Sequence, residues 1–314
     1  MKLRSWLGSA AVLVGLLGSL ASTSNVGAQG KMAGSIKADG SSTVYLISEA
    51  MAASFSKLHP DVRISVAFSG TGGGFKKFAA GELDISDASR PIKAAEADKC
   101  KENGITFTEL QVGWDGLAVV IHPENTWAKK LTVEQLKKIW HDTSTKKWSD
   151  IDPTWPKEDM KLYGAGSDSG TFDFFTEVIN GKSGVIRGDY TPTEDDNITV
   201  NGVVRNKYAM GFFGVAYYEQ NKDKMQVVAV MNPKTKEYVV PTVETVLNKK
   251  YAPLGRPLFI YIKNSSLKRP EVREFVNYYM RNPEIVRTSG YVPLNALQSS
   301  KERKKLDSAL KTLS

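Results

Sequence analysis

An α/β protein of two lobes is predicted from three features of this 314-residue chain. Strand-like apolar runs alternate with amphipathic helical stretches along most of its length. Sheet-forming runs occur in both halves, with no internal repeat and no low-complexity linker between them. Polar, glycine-rich turns sit where strands lead into helices, the usual place for a ligand in layered α/β folds.

The elements follow in order. Val44, Ile47, Met51, Phe55 and Leu58 recur at three and four, so one helical face is buried. His59-Pro60 ends that helix. Val62 to Phe68 alternates and is β-branched, which predicts a strand. Leu83 to Ile85 is a short strand, and Ile92 to Lys101 a small helix. Ile105 to Leu110 and Leu117 to Ile121 read as two separate strands. Thr132 to Trp140 is a helix capped by Thr132. Leu162 to Gly164 is a strand that runs into a glycine-rich loop, followed by a helix over Phe172 to Ile179. Met225 to Val230 and Pro257 to Ile262 are strands. Pro270 to Met280 opens with Pro at a helix start, and Ala296 to Leu313 is a charged C-terminal helix. The alternation implies parallel-rich sheets with helices outside.

Composition excludes several classes. Apolar residues make up 41% and charged residues 24%, which is ordinary for a folded globular chain and rules out a mostly disordered one. A single cysteine, Cys100, rules out an internal disulfide and a Cys-rich metal site. The net charge is +8, but acidic residues are interspersed nearly everywhere and no aromatic-arginine platform appears. Nucleic-acid binding is therefore not expected.

The first residues carry a targeting signal. Lys2 and Arg4 form a positive start, Trp6 to about Leu20 is apolar, and Val26-Gly27-Ala28 supplies small residues at a cleavage position. We expect a signal peptide over residues 1–28 and a periplasmic mature protein. The apolar stretch is shorter than the roughly 20 residues of a membrane span.

Three polar turns carry the chemistry. They are Asp39-Gly40-Ser41-Ser42-Thr43, Ser69-Gly70-Thr71-Gly72-Gly73-Gly74 and Gly166-Ser167-Asp168-Ser169-Gly170-Thr171. Each places hydroxyls and unpaired backbone N–H groups at a helix start, where the partial charge is positive. Glycine lets a ligand approach the backbone closely. Each turn alone is an ordinary cap; three that converge would cage an oxyanion. Arg90, held extended by Pro91, adds a guanidinium able to fork two donors onto one anion.

Enzyme motifs fail on particular residues. Gly70 to Lys77 places Phe75 where a Walker loop needs its lysine, and it lacks the last glycine of a dinucleotide loop. Asp168-Ser169-Gly170 has a serine, but nothing marks His59, His122 or His141 as its base. Three scattered histidines also make no zinc site.

The order GSST, SGTGGGFKKFAAGELDISDASRP, GSDSGTFDFF and GVVRNKYAMGFFGVAYY, with SGYVPL near the end, resembles the periplasmic phosphate-binding proteins of the phosphate ABC transporter. The resemblance covers roughly Ile36 to Leu294. It implies the type II periplasmic-binding-protein fold: two α/β lobes, joined by two crossing strands, that close over one anion. Lobe one would take residues 31–116 and return at about Met231 to hold 231–314. Lobe two would take 117–230.

Carried over residue by residue, the resemblance implies that Ser42, Thr43, Thr71, Gly72, Ser169, Gly170 and Thr171 bind phosphate. Two positions depart from the family pattern. Ser89 stands where an aspartate is familiar, with Arg90 next to it, and Ala165 stands where an arginine is familiar. The aspartate matters because phosphate keeps a proton at neutral pH and sulfate does not, so a buried acceptor selects phosphate. Asp115, Asp168 and Asp87 are the candidates for that role, with Asp115 preferred.

The implied protein is a noncatalytic monomer that binds inorganic phosphate, docks on an inner-membrane ABC permease and needs no metal or organic cofactor. The alternatives are a receptor for sulfate or another tetrahedral oxyanion, a secreted interaction protein or adhesin on the same scaffold, and a secreted phosphatase. The Lys-rich end from Ser299 to Ser314 leaves room for the interaction reading.

Overall fold

The computed structural model describes residues 32–313, apart from 168 and 194. The expected signal peptide lies outside the described residues. No helix among them is long and apolar enough to cross a membrane.

The chain opens with β1 (Gly34–Gly40), α1 (Ser42–Leu58), β2 (Val62–Val66), α2 (Gly70–Ala79), β3 (Ile85–Ala88) and α3 (Ala94–Glu102). β1 runs parallel to β2 and β3, one on each side. Of the five residues its periodicity places on the buried face of α1, Leu58, at the last position of the helix, is 64% exposed because the helix ends beyond the core, whereas Val44, Ile47, Met51 and Phe55 are fully covered. Burying each such side chain contributes about 1.5–3 kcal/mol. They pack with Phe275 and Val276 of the helix Pro270–Arg281, which starts on proline as expected. A neighbouring cluster gathers Phe75, Phe78, Phe259 and Tyr261 around Cys100, which is a buried free thiol.

β4 (Phe107–Ile121) joins two parts of the molecule. The sequence predicts two strands here, but the structure has one. Gly113-Trp114-Asp115-Gly116 interrupts the apolar pattern, yet it stays extended because it is paired on both sides. Gly255–Lys263 runs antiparallel along one edge, from Gly116 back to Phe107, and Val292–Pro293 pairs with Trp114 and Gly113 on the other. Beyond Gly116 the partner changes, and Leu117 to Ile121 pairs with Ala209–Gly214. That strand in turn lies parallel to Lys161–Ala165, which has Thr191–Thr193 parallel on its far side. The Ala209–Gly214 strand escapes the sequence reading because AMGFFG does not alternate. All but its last residue are buried.

Leu117 to Ile121 feeds a second core with Trp140, Trp148, Phe175, Phe212 and Phe213. The Phe175 and Phe212 rings stack 3.9 Å apart. α4 (Val133–His141) docks here, its start fixed by a reciprocal cap between Thr132 and Gln135. Val246, Tyr251 and Leu254, all beyond the expected return point at Met231, also belong to this core. The expected strand over Met225 to Val230 is divided. Gln226–Val227 pairs with β4, whereas Ala229–Met231 joins a separate small sheet.

Candidate functional site

The first turn is built by the end of β1. Gly40 has φ 147°, and a Cβ there would collide with the Asp87 carbonyl, so only glycine lets β1 lie this close to β3. Ser41 then caps α1 by accepting the Val44 N–H, leaving Ser42 and Thr43 in the first helical turn. The second turn lies against the first, since a Cβ on Gly74 would come within 2.5 Å of Gly40 Cα. Thr71 opens α2 there. Its hydroxyl sits 3.1 Å from Ser89 Oγ and accepts the Ser89 N–H at 3.2 Å.

The third turn comes from the second core. Ser169 caps α5 (Gly170–Phe175) by accepting the Thr171 N–H at 3.1 Å. It reaches the first turn directly. Ser42 Oγ donates to Asp173 Oδ2 at 2.6 Å, and Thr43 Oγ1 donates to the Gly170 carbonyl at 3.3 Å. A Cβ on Gly170 would stand 2.7 Å from Thr43 Cα, so this approach also requires glycine.

Between these turns lies a cavity of about 520 Å³. Ser42, Thr43, Thr71, Gly72, Ser89 and Arg90 are all on its wall. Ser169, Gly170 and Thr171 are not; Asp173, Phe174 and Glu177 form that side. Asp168 lies outside the described residues. Asp115 is buried and off the wall, and Asp87 is wholly buried beneath the first turn.

Arg256 was not singled out by the sequence. It enters the cavity from the strand Gly255–Lys263. Its Nε and Nη2 both lie 3.3 Å from Asp115 Oδ2, and Nη2 also donates to Thr43 Oγ1 at 2.8 Å. Nη1 is 3.7 Å from Glu177, and the guanidinium lies 3.7 Å above the Phe174 ring. Asp115 therefore orients a cation that Ala165 cannot supply. Burial pushes the Asp115 carboxyl up to about 6, against the pull of Arg256.

Arg90 is held by a two-pronged bond to Glu96, at 2.7 and 2.9 Å, and lies over Phe75. Lys93 is a third cation on the wall. Asp173 and Glu177 are its carboxylates. Asp173 is held on both oxygens, by Ser42 and by Ser183 at 2.7 Å. The sequence offered only weak signals for these two partners. Arg256 is a charge at the head of an apolar strand, and Asp173 looks like an ordinary acid in a first helical turn.

The remaining polar groups are structural. Burial pushes the Asp87 carboxyl up to about 8; a hydrogen bond from Ser48 opposes the rise and Asp39 adds to it. Among the described residues no cluster of His, Cys, Asp or Glu is suited to a metal ion. The arrangement can surround a small anion with hydroxyls, helix-start amides and two oriented guanidiniums.

Comparisons with known proteins agree with this geometry. A model of the PBP superfamily domain matches residues 25–283. Protein SphX of Synechococcus elongatus is 46% identical over 265 residues, covering 83% of this chain and 78% of its own. The phosphate-binding protein PstS of Staphylococcus saprophyticus is 38% identical over 280 residues, covering 88% and 86%. Among solved structures, a possible phosphate binding protein from Planctomyces limnophilus superposes with TM-score 0.87 at 46% identity, over 89% of this chain and 99% of its own. By matched length, sequence identity and shared fold, the chain belongs to the PBP superfamily and, within it, to the PstS-like phosphate-binding proteins.

Proposed function

We propose that this chain is a receptor that binds inorganic phosphate outside the cytoplasm and delivers it to an ABC permease of the inner membrane. One observation carries the reading: the cavity wall presents hydroxyls, helix-start amides and two oriented guanidiniums on one side, facing Asp173, Phe174 and Glu177 of the second core on the other. Such donors suit a small oxyanion. The protein acts as a monomer, holds the anion without reacting with it, and reaches the periplasm through cleavage after Ala28.

The lobes in this reading are 32–116 with 255–313, and 117–254, because Val246, Tyr251 and Leu254 pack in the second core. Ser42, Thr43, Thr71, Gly72, Ser89 and Arg90 donate from lobe one. Ser169, Gly170 and Thr171 form the helix start that approaches from lobe two. Arg256 bridges the two, held by Asp115.

Asp173 takes the role of proton acceptor. It is on the wall, whereas Asp115 is turned to Arg256. Its two oxygens offer about four lone-pair positions, so it can hold Ser42 and Ser183 and still accept the phosphate proton. An unprotonated sulfate oxygen would face it with no hydrogen to share.

Titration calorimetry tests this on protein freed of endogenous ligand by unfolding and refolding. Phosphate is expected to bind tightly and sulfate weakly. Equal binding of sulfate would make the protein a general oxyanion receptor, and no heat from either would end the receptor reading. Near-wild-type phosphate affinity in a Ser169→Ala/Thr171→Ala protein would remove the third turn from the site.

A further inference from the structure

A second surface lies away from this cavity, where the C-terminal helix Ala296–Leu313 passes the start of β4. The two enclose an open groove of about 990 Å³. Its floor is Phe107, Thr108 and Glu109, and its helical wall includes Leu297, Lys301, Lys304 and Lys305. Leu297 is 81% exposed, an apolar side chain with no cover.

The floor is a strand edge. Phe107 to Gln111 pairs with Gly255–Lys263 on one side only; among the described residues no strand pairs with the other. The direction of its backbone groups follows from one contact. The Gln111 N–H points away from the paired strand and is taken by the Glu302 carboxylate at 3.1 Å. Backbone direction alternates along a strand, so Glu109 and Phe107 present their N–H and C=O groups to the same open side. The helix closes the edge at Gln111 and leaves it open at Glu109 and Phe107. An unpaired edge of this kind accepts an added strand.

Charge specifies the occupant. Lys301 and Lys304 are exposed on the groove face of the helix, while Lys305 is paired with Glu302 at 2.8 Å. The acid on the floor, Glu109, is engaged by the Tyr261 hydroxyl at 2.6 Å. We propose that the groove receives an extended acidic segment of a partner protein, added as a strand to the Phe107–Glu109 edge with its carboxylates on Lys301 and Lys304. Leu297 covers an apolar side chain of that segment. This gives the Lys-rich end of the chain a role that phosphate binding does not use.

The test uses the full chain and a fluorescent octapeptide of alternating glutamate and valine, followed by anisotropy and amide NMR. Binding should shift the Phe107 and Glu109 amides and leave those of Ser42 and Thr71 in place. Lys301→Glu/Lys304→Glu should weaken it by about tenfold or more, with phosphate affinity unchanged as the check on folding. N-methylation of alternate peptide amides should abolish it, since that removes the strand hydrogen bonds. Absence of binding, or binding indifferent to the lysines or to N-methylation, would overturn the proposal. So would a wild-type protein that ignores the peptide but binds phosphatidylglycerol vesicles or self-associates through this face.

Discussion

Ser42 and Asp173 meet across the two cores in a hydrogen bond, 2.6 Å from Oγ to Oδ2, at the edge of the anion cavity and beside that of Thr43 to the Gly170 carbonyl. The hydroxyl belongs to the start of α1 and the carboxylate to the first turn of α5. The shorter of the hydrogen bonds across the cleft is thus made by groups lining the site. Asp173→Asn keeps the size of the side chain, removes its charge and exchanges one accepting oxygen for an NH2 group that can donate to an unprotonated oxygen. Phosphate preference over sulfate should fall by about tenfold or more, mostly through a gain in sulfate affinity. An unchanged ratio in parallel titrations would dismiss Asp173 as the discriminating group.

Arg256 should be less replaceable than its exposed relatives. Lysine keeps the charge but cannot fork onto Asp115 and Thr43 or stack on Phe174, so Arg256→Lys should lose phosphate affinity by about one order of magnitude or more. Arg256→Met strands Asp115, which is almost fully buried. Breaking a buried pair costs about 3–5 kcal/mol, and here the cost should be larger at pH 8 than at pH 5. At the lower pH the stranded carboxyl takes a proton and loses its charge. Urea midpoints at the two pH values measure the difference, and a cost independent of pH would contradict it.

Asp87 should impose a slope on the stability of the whole chain. Its carboxyl is raised from the ordinary 3.8 to about 8, so between those values the folded state holds a proton that the unfolded state has released. Stability from this group is complete below about 4 and declines as pH rises toward 8, by at most about 1.4 kcal/mol per unit. Asp87→Asn removes the slope, so the variant should gain on the wild type between pH 5 and pH 8. Parallel urea curves for the two proteins across that range would refute the assignment.

Gly170→Ala tests the closeness of the cleft. The added methyl group would meet Thr43 Cα at 2.7 Å and Thr43 Oγ1 at 2.9 Å. The turn sits in the cleft rather than in a core, so the thermal midpoint should change little. Phosphate affinity should fall by about tenfold or more as the two starts are held apart, and small-angle scattering with phosphate should report a larger radius of gyration than for the wild type.

The turns were legible in the sequence because each is a local event: a strand end, a glycine and a hydroxyl within a few residues. Six of the residues so identified lie together on one wall. α1 was legible for the same reason, from an apolar period within one element. Arg256 was not, because its bond to Thr43 spans 213 positions and its own surroundings read as a strand start. Asp115 was singled out, but its partner was invisible, so its part in orienting a cation could not be read. The continuity of β4 was hidden because Gly113 and Gly116 are extended through pairing with Val292–Pro293 and Gly255–Lys263, distant segments that no local pattern contains.

The route of β4 also dictates the order in which the protein can be completed. β3 finds its second neighbour only in Gly255–Lys263, where Ala88 meets Phe259. The Leu117 N–H binds the Leu254 carbonyl, so the intervening segment begins and ends at one point. During synthesis the first sheet must therefore wait for all of that segment, roughly 7–27 seconds at translation rates of about 5–20 residues per second. The nascent chain stays unfinished, and so able to be threaded through a narrow channel, until nearly its whole length has been made.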